Sequence, residues 1–539
     1  MIQSIFMLPN FDADQLAAIN STVNTVVTAG AGSGKTSVLA ARFIRLLRTH
    51  DISVDQILTL TFTNKAAAEM HERIHQALQR ETDPRLVKES TQFHKAQIST
   101  IDSFCAQIAR NSSSLFGLAP DFSIDEDALT RLIDELAFDT ALTHAQRPGA
   151  RALTARYGFH GLADGLLARV GSHYLSLAEE IDFPTLLARQ YDALLAARPL
   201  HCRAFTDAAQ TLYADYRERF KTVADNAGPL SRAGTLSELF AAGRFTDIRA
   251  LLDALTFRKP GGRSSADGEI VKGLIDRLRE EQQHLASIVT AYEEEEFIRD
   301  LFDLLALFQR ELAVRKRMRK LVSFQDVARM AVKALQVNLP LRRYYKRRYR
   351  FIMIDEFQDN NHLQKELLSL LAERGDLELP RVPGPSELEP DKLFFVGDEK
   401  QSIYGFRGAQ VDIFKALKKE LKDHGGRALS FRNNYRSRPG LIEFYNRLFA
   451  GVMHSPSLPF EAEFEPLSAC LPAGKIRPQI RLFYKPVADT DADEEDLSAV
   501  EAEALTVASF LRDAVEKEQL MIEDHGACLL YTSDAADEE

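Results

Sequence analysis

Two hydrophobic patterns alternate along the chain. Short, largely apolar runs at Val23 to Val27, Ile57 to Phe62, Gln97 to Ile101, Phe351 to Ile354, Leu393 to Val396, Ala428 to Phe431 and Ile480 to Tyr484 predict buried strands. Between them apolar residues recur three and four apart. Leu16 and Ile19, then Leu39, Phe43, Leu46 and Leu47, an alanine-rich stretch through Met70, a segment from Pro439 to about Phe449, and Ala504, Val507, Phe510 and Leu511 all predict helices. Strands alternating with helices imply an α/β fold with a parallel sheet. From about Leu115 to Lys320 the helical spacing is continuous and β-branched runs are scarce, so a large, mainly helical domain is expected to interrupt the α/β pattern. Lys259 to Ser265 predicts a surface loop within it, and Asp489 to Asp496 an acidic loop further on. The expected layout is a first α/β domain in two parts, 1–115 and 321–427, a helical insertion at 116–320, the start of a second α/β domain at 428–527, and a tail at 528–539.

The polar residues at the ends of the strands carry the candidate chemistry. Ala29-Gly30-Ala31-Gly32-Ser33-Gly34-Lys35-Thr36 joins the first strand to the first helix. Its glycines let successive N–H groups turn inward, and the helix adds its positive end, which makes a nest for phosphate. Lys35 reaches the terminal phosphates, and the Thr36 hydroxyl completes the coordination of Mg²⁺. The strict pattern asks for glycine where Ala29 stands. The loop reads as a nucleotide triphosphate site, and Gln15 just ahead of the strand offers a carboxamide that matches an adenine edge, although a solvated helix residue would read the same. Asp355 and Glu356 follow the fourth strand: the first suits a metal held through its water shell, the second a proton acceptor for the attacking water.

Further strand ends carry candidates for nucleic acid. Phe62 offers a stacking face beside Thr63, Asn64 and Lys65, which equally suit a helix start; Thr100 and Ser103 present hydroxyls, with Asp102 expected to cap a helix. After Leu393 to Val396, Gln401 is placed to sense a γ-phosphate or position water, Tyr404 and Phe406 to stack on bases, and Arg407 to pair with phosphate or with an acid. Arg436 is a candidate to reach the γ-phosphate from a second domain. A basic tract, Arg315 to Lys320, reads either as a nucleic-acid contact or as a charged helix face, and basic residues crowd again from Arg342 to Arg350, interleaved with Tyr344, Tyr345 and Tyr349.

The 539 residues allow about three or four domains. A net charge of -11 excludes a protein coated in positive charge but not a local basic groove. Four cysteines, at 105, 202, 470 and 528, have neither metal-ligand spacing nor the density of a disulfide framework, as suits a reducing cytoplasm. Met1 to Asn10 lacks a secretory pattern and no run of eighteen apolar residues occurs, so no membrane association is expected.

In combination these segments resemble the UvrD/Rep-like superfamily 1 DNA helicases. The resemblance implies a RecA-like P-loop motor with ATP and Mg²⁺, in which Gln15 reads adenine, Lys35 and Thr36 hold phosphate and metal, and Asp355 and Glu356 are the metal and general-base pair. It further implies Gln401 as γ-phosphate sensor, Arg436 as the arginine supplied across the motor cleft, and Phe62 to Lys65, Thr100 to Ser103 and Tyr404 to Arg407 as grips on single-stranded DNA. Asp102 stands where many relatives have histidine. Gly397 to Tyr404 with Phe406, Leu118 to Ile124 and the long insertion look more like the AddA/RecB branch. That branch implies a 3′ to 5′ helicase-nuclease acting on single-stranded and duplex DNA in double-strand-break repair and recombination; its implied partner is a second helicase-nuclease subunit. A stand-alone repair helicase and a non-translocating ATP- and DNA-binding scaffold are the alternatives. A complete motor of this family continues beyond what is present, and Cys528 to Glu538 resembles a translated sequencing adapter, so native sequence is expected to stop near Ala527 and this piece to hydrolyse ATP weakly.

Overall fold

The computed structural model describes residues 11–256, 266–405, 408–454, 458, 461–462, 464–474, 480, 499–516, 521–524 and 527–530. The expected loop at 259–265, the strand at 481–484, the acidic loop at 489–496, Phe406, Arg407 and residues 531–539 lie outside them. The chain forms two compact units, one of residues 1–108 with 331–539 and the other of 109–330. No helix among the described residues is long and apolar enough to cross a membrane.

The first unit is built on a six-stranded sheet. In chain order its strands are β1 (Thr25–Ala29), β2 (Ile57–Thr61), β3 (Gln97–Thr100), β4 (Phe351–Ile354), β5 (Leu393–Gly397) and β6 (Arg427–Phe431). They lie side by side as β3-β2-β4-β5-β1-β6, every neighbouring pair parallel. The four inner strands are buried along their whole length, as both faces of a covered parallel sheet require. Val27, Ile57, Met353, Phe394 and Val396 pack with Leu39, Phe43, Leu47, Met70 and Ile74 from the helices Lys35–Thr49 and Asn64–Gln79. On the alternate positions Phe395 meets Phe357, ring centroids 4.7 Å apart. The edge strands β3 and β6 are partly exposed.

β6 departs from the expected layout. Ala428 to Phe431 does not open a second domain: it pairs with Val26 to Ala29 and closes the first sheet beside β1. The helix Pro439–Val452 and a short parallel pair, Asn433–Asn434 with Ser468–Ala469, follow it. Further on, Cys528 to Leu530 form part of a strand paired antiparallel with Met521–Asp524.

Among its described residues the unit 109–330 is helical apart from one short parallel pair, Ser123–Ile124 with Leu321–Val322. It extends beyond the expected 116–320 at both ends. Its longest helices, Phe183–Thr211, Ala266–Glu293 and Glu295–Arg319, feed two cores, one around Phe205, Leu236, Leu252 and Leu278, the other around Leu132, Leu167, Leu304 and Phe308. The basic tract at 315–320 is largely absorbed here. Lys316 is buried and paired with Asp326 at 2.7 Å, their side chains 3% and 1% exposed; Arg317 donates to the Phe116 carbonyl, and Lys320 pairs with Asp121. The tract at 342–350 is likewise structural in the first unit: Arg342, Tyr345 and Tyr349 are buried, and Lys346 pairs with the buried Glu373 at 2.9 Å.

Removing one member of a buried pair strands the other. Asp326 also accepts the Ser323 and Leu177 amides, so Asp326→Ala is expected to lower the unfolding free energy of the helical unit by about 3–5 kcal/mol, measured by urea denaturation.

Candidate nucleotide site

Parallel strands all present their C-terminal ends at one edge of the sheet, and the candidate residues leave the sheet there. At the end of β1, Ala29 is fully buried in the core, which accounts for a methyl where the phosphate-loop pattern has glycine. Gly32 and Gly34 take φ of +71° and +80°, a region costly for residues with a Cβ. Gly34 caps the helix that begins with Lys35 and Thr36. The Ser33 hydroxyl donates to the Gly30 carbonyl at 2.7 Å. The other loop carbonyls accept from outside: Ala31 from Asn434 Nδ2 at 2.7 Å, Gly32 from the Tyr435 amide at 2.8 Å, and Ser33 from Gln15 Nε2 at 2.8 Å. Gln15 is 4% exposed, so the structure places it as a prop beneath the loop.

β4 delivers the two acids. Asp355 is buried, and burial, reinforced by the neighbouring Glu356 charge, pushes its carboxyl up to about 7. Glu356 sits at φ +51°, a left-handed conformation that costs a side-chain-bearing residue roughly 1–2 kcal/mol. Its carboxylate is held from two sides. Lys35 Nζ donates to both oxygens, at 2.8 and 2.9 Å, and Gln358 Nε2 donates to Oε2 at 2.9 Å. Gln358 Nε2 also reaches Asp359 at 3.0 Å. Asp359, too, is pushed up to about 7 by burial and by Glu356, and its Oδ1 is buried without a hydrogen-bond partner.

β5 brings Asp398. Its amide donates to Gln358 Oε1 at 2.8 Å, while its carboxylate accepts from Gln401 Nε2 at 2.8 Å and pairs with Lys400 at 2.9 Å. A Cβ on Gly397 would lie 2.7 Å from Gln358 Oε1, so this approach needs glycine. β6 leads into Asn434 to Arg436, which sit on the loop: a Cβ on Gly32 would lie 2.7 Å from both Asn434 Nδ2 and Arg436 Cβ. Lys35, Asp355, Glu356, Gln401 and Arg436 therefore all leave neighbouring strands of one unit.

The candidates for nucleic acid gather at the β2–β3 side, where Thr61 and Thr100 are register partners. Phe62 and Tyr404 touch, ring centroids 4.8 Å apart. Thr63 caps the helix Asn64–Gln79, and Asn64 and Lys65 are exposed on its first turn. Thr100, not Asp102, takes the Ser103 amide at 3.1 Å, and the Asp102 carboxylate accepts from Gln364 at 2.9 Å instead. Sequence reasoning assigned no role to Gln358, Asp359, Asn434 or Tyr435. The one signal for Gln358 was an uncharged amide between acids in Asp355 to Asp359.

The fold is a parallel α/β sheet with a glycine-rich loop after one strand and, two strands away, a pair of acids of which Asp355 is buried. The chain belongs to the UvrD/REP helicase family, whose N-terminal domain matches residues 11–422. It is also similar to proteins named as subunits of an ATP-dependent helicase/nuclease. The one from Bacillus licheniformis is 28% identical over 92% of this chain and 44% of its own length; that from Desulforudis audaxviator is 30% identical over 93% and 46%. That from Clostridium botulinum, strain Loch Maree, is 27% identical over 82% and 40%. The chain thus spans less than half the length of these curated relatives.

Raised carboxyl values carry a stability signature. Between about pH 4 and pH 7 the unfolded chain ionises Asp355 while the folded site resists, so the penalty grows with pH and is complete above about 7. Without added magnesium, Asp355→Asn is expected to raise the melting temperature by about a few degrees at pH 8 and by less at pH 5.

Proposed function

We propose that this chain is the N-terminal motor portion of an ATP-dependent DNA helicase, built on a RecA-like domain and acting within a helicase-nuclease subunit of the kind its relatives are named for. The observation that carries the reading is the Lys35–Glu356 pair at 2.8 Å, which joins the phosphate loop to the acid cluster. Lys35 exchanges the carboxylate for the terminal phosphates when nucleotide enters, releasing Glu356 to accept a proton from the attacking water.

Mg²⁺ fits the residues present. Burial, and then the Glu356 charge, holds the Asp355 and Asp359 carboxyls well above the usual range, and the Asp359 Oδ1 is buried without a hydrogen-bond partner, so the cluster has acceptor capacity to spare. Asp355 and the Thr36 hydroxyl would hold the ion, which supplies charge neutralisation at the phosphates. Gln15 retains one N–H and one oxygen lone pair for an adenine edge beyond the two bonds it makes. Gln401 and Arg436 are assigned to the γ-phosphate, Arg436 by virtue of its seat against Gly32.

The touching rings of Phe62 and Tyr404 support a stacking platform for single-stranded DNA, with Thr63, Asn64, Lys65, Thr100 and Ser103 beside it to meet backbone phosphate. Duplex DNA as the substrate unwound, 3′ to 5′ movement, a role in break repair and recombination, a cytoplasmic setting and a second helicase-nuclease subunit follow from the resemblance to the AddA/RecB branch.

The test is ATP hydrolysis with and without single-stranded DNA, in this chain and in a full-length protein carrying it. Single-stranded DNA is expected to stimulate the full-length protein, and this chain alone to turn over weakly. Glu356→Gln should cut turnover by about 10²–10⁴-fold. It should leave ATP binding intact or tighter, because Lys35 is freed. Turnover indifferent to both DNA and Glu356 would overturn the motor reading. In a separate assay, Phe62→Ala and Tyr404→Ala should each weaken single-stranded DNA binding by about 1–3 kcal/mol in fluorescence anisotropy titrations.

A further inference from the structure

We propose that Asp12 is the positioning residue of the phosphate loop: its carboxylate clasps the helix ahead of the loop to residues 433–437, and through both it aims the loop's N–H groups. The inference rests on reading residues 29–36 as a nucleotide site.

The two oxygens of Asp12 serve different elements. Oδ1 accepts the Gln15 amide at 2.8 Å and caps the helix Ala13–Ile19, while the Asp12 amide returns a bond to Gln15 Oε1 at 3.0 Å. This reciprocal box fixes the Gln15 side chain, whose Nε2 then reaches the Ser33 carbonyl. Oδ2 accepts from Asn433 Nδ2 at 2.8 Å and from the Tyr435 hydroxyl at 2.7 Å, more than four hundred residues away in sequence. Between those two anchors lies Asn434, which donates to the Ala31 carbonyl and accepts the Arg436 and Ser437 amides; the Tyr435 amide donates to the Gly32 carbonyl. One carboxylate therefore secures both groups of donors that hold the carbonyls of residues 31, 32 and 33.

The consequence follows from peptide geometry. In a trans peptide the carbonyl of one residue and the N–H of the next point in opposite directions. Carbonyls 31 and 33 turned out toward Asn434 and Gln15 leave the N–H groups of Gly32 and Gly34 turned the other way, into the nest, while the Ser33 N–H closes the turn onto the Gly30 carbonyl at 3.2 Å. Asp12 acts through these neighbours rather than on phosphate. Burial tends to raise its carboxyl, but the hydrogen bonds from Gln15, Tyr435 and Asn433 outweigh it and hold it below the usual aspartate value, so it is a charged acceptor at neutral pH.

Asp12→Asn separates the clasp from the cap. Asparagine still caps the helix, but it turns a donor toward Asn433 Nδ2. Tyr435→Phe removes the hydroxyl alone. In the intact chain, amide hydrogen exchange without nucleotide is expected to quicken roughly threefold to tenfold over 433–437 in each variant, with 13–19 unchanged. Calorimetry should show Mg-ATP affinity falling by a comparable factor, and the double variant no worse than the weaker single, because both act on one linkage. Unchanged exchange at 433–437 in both single variants, or additive losses in the double, overturns the clasp. Lys35→Ala is the control for the site itself: if wild type and Lys35→Ala bind ATP alike, the nucleotide reading falls, while the exchange measurement still decides the clasp.

Discussion

Negative charge held out of water beneath the phosphate loop is the constraint around which the first unit is arranged. Asp355, Glu356 and Asp359 lie within five residues at the end of an inner strand, and Lys35 pairs directly with Glu356. Carboxylates crowded in this way repel one another and resist ionisation when buried. The surroundings answer with donors: Lys35 and Gln358 on Glu356, Gln358 on Asp359, and the Glu356 amide on Asp355. Even so the Asp359 Oδ1 stays without a partner. The cluster is over-supplied with acceptors, and Glu356 is held in a left-handed backbone conformation within it.

The parallel sheet makes this arrangement reachable. Because neighbouring strands run the same way, segments separated by hundreds of residues emerge together: the loop after β1, the acids after β4, Asp398 after β5 and Asn434 after β6. Gln358 links the acids to Asp398, and the short run from Asp398 to Tyr404 ends against Phe62. The nucleotide candidates and the aromatic pair thus share one continuous chain of contacts within a single unit.

Much of this was legible in sequence. Inner strands announce themselves as unbroken apolar runs because both of their faces are covered, and the loop and the acids follow directly from the strands' ends. Partners distant in sequence were not legible. Lys316 read as part of a charged helix face, and Arg342 and Lys346 as no more than a crowd of basic residues, because nothing local betrays Asp326 or Glu373 across from them. β6 was assigned to the wrong side of a boundary because an edge strand is half polar, and pairing with β1 leaves no mark on composition. Asp12 gave no signal of its own in the sequence: it caps a helix, and its second oxygen could be placed only once Tyr435 was known to lie beside it.

That sixth strand sets where the sequence can be divided. The family match ends at residue 422, yet β1, the strand that carries the phosphate loop, has β6 as its outer neighbour. A piece trimmed at the match would turn β1 from an inner strand into an edge, with a row of unpaired amides and carbonyls along Thr25–Ala29 open to any passing strand. The smallest self-contained form of this sheet is therefore longer than the family definition suggests, and its natural limit falls after Phe431.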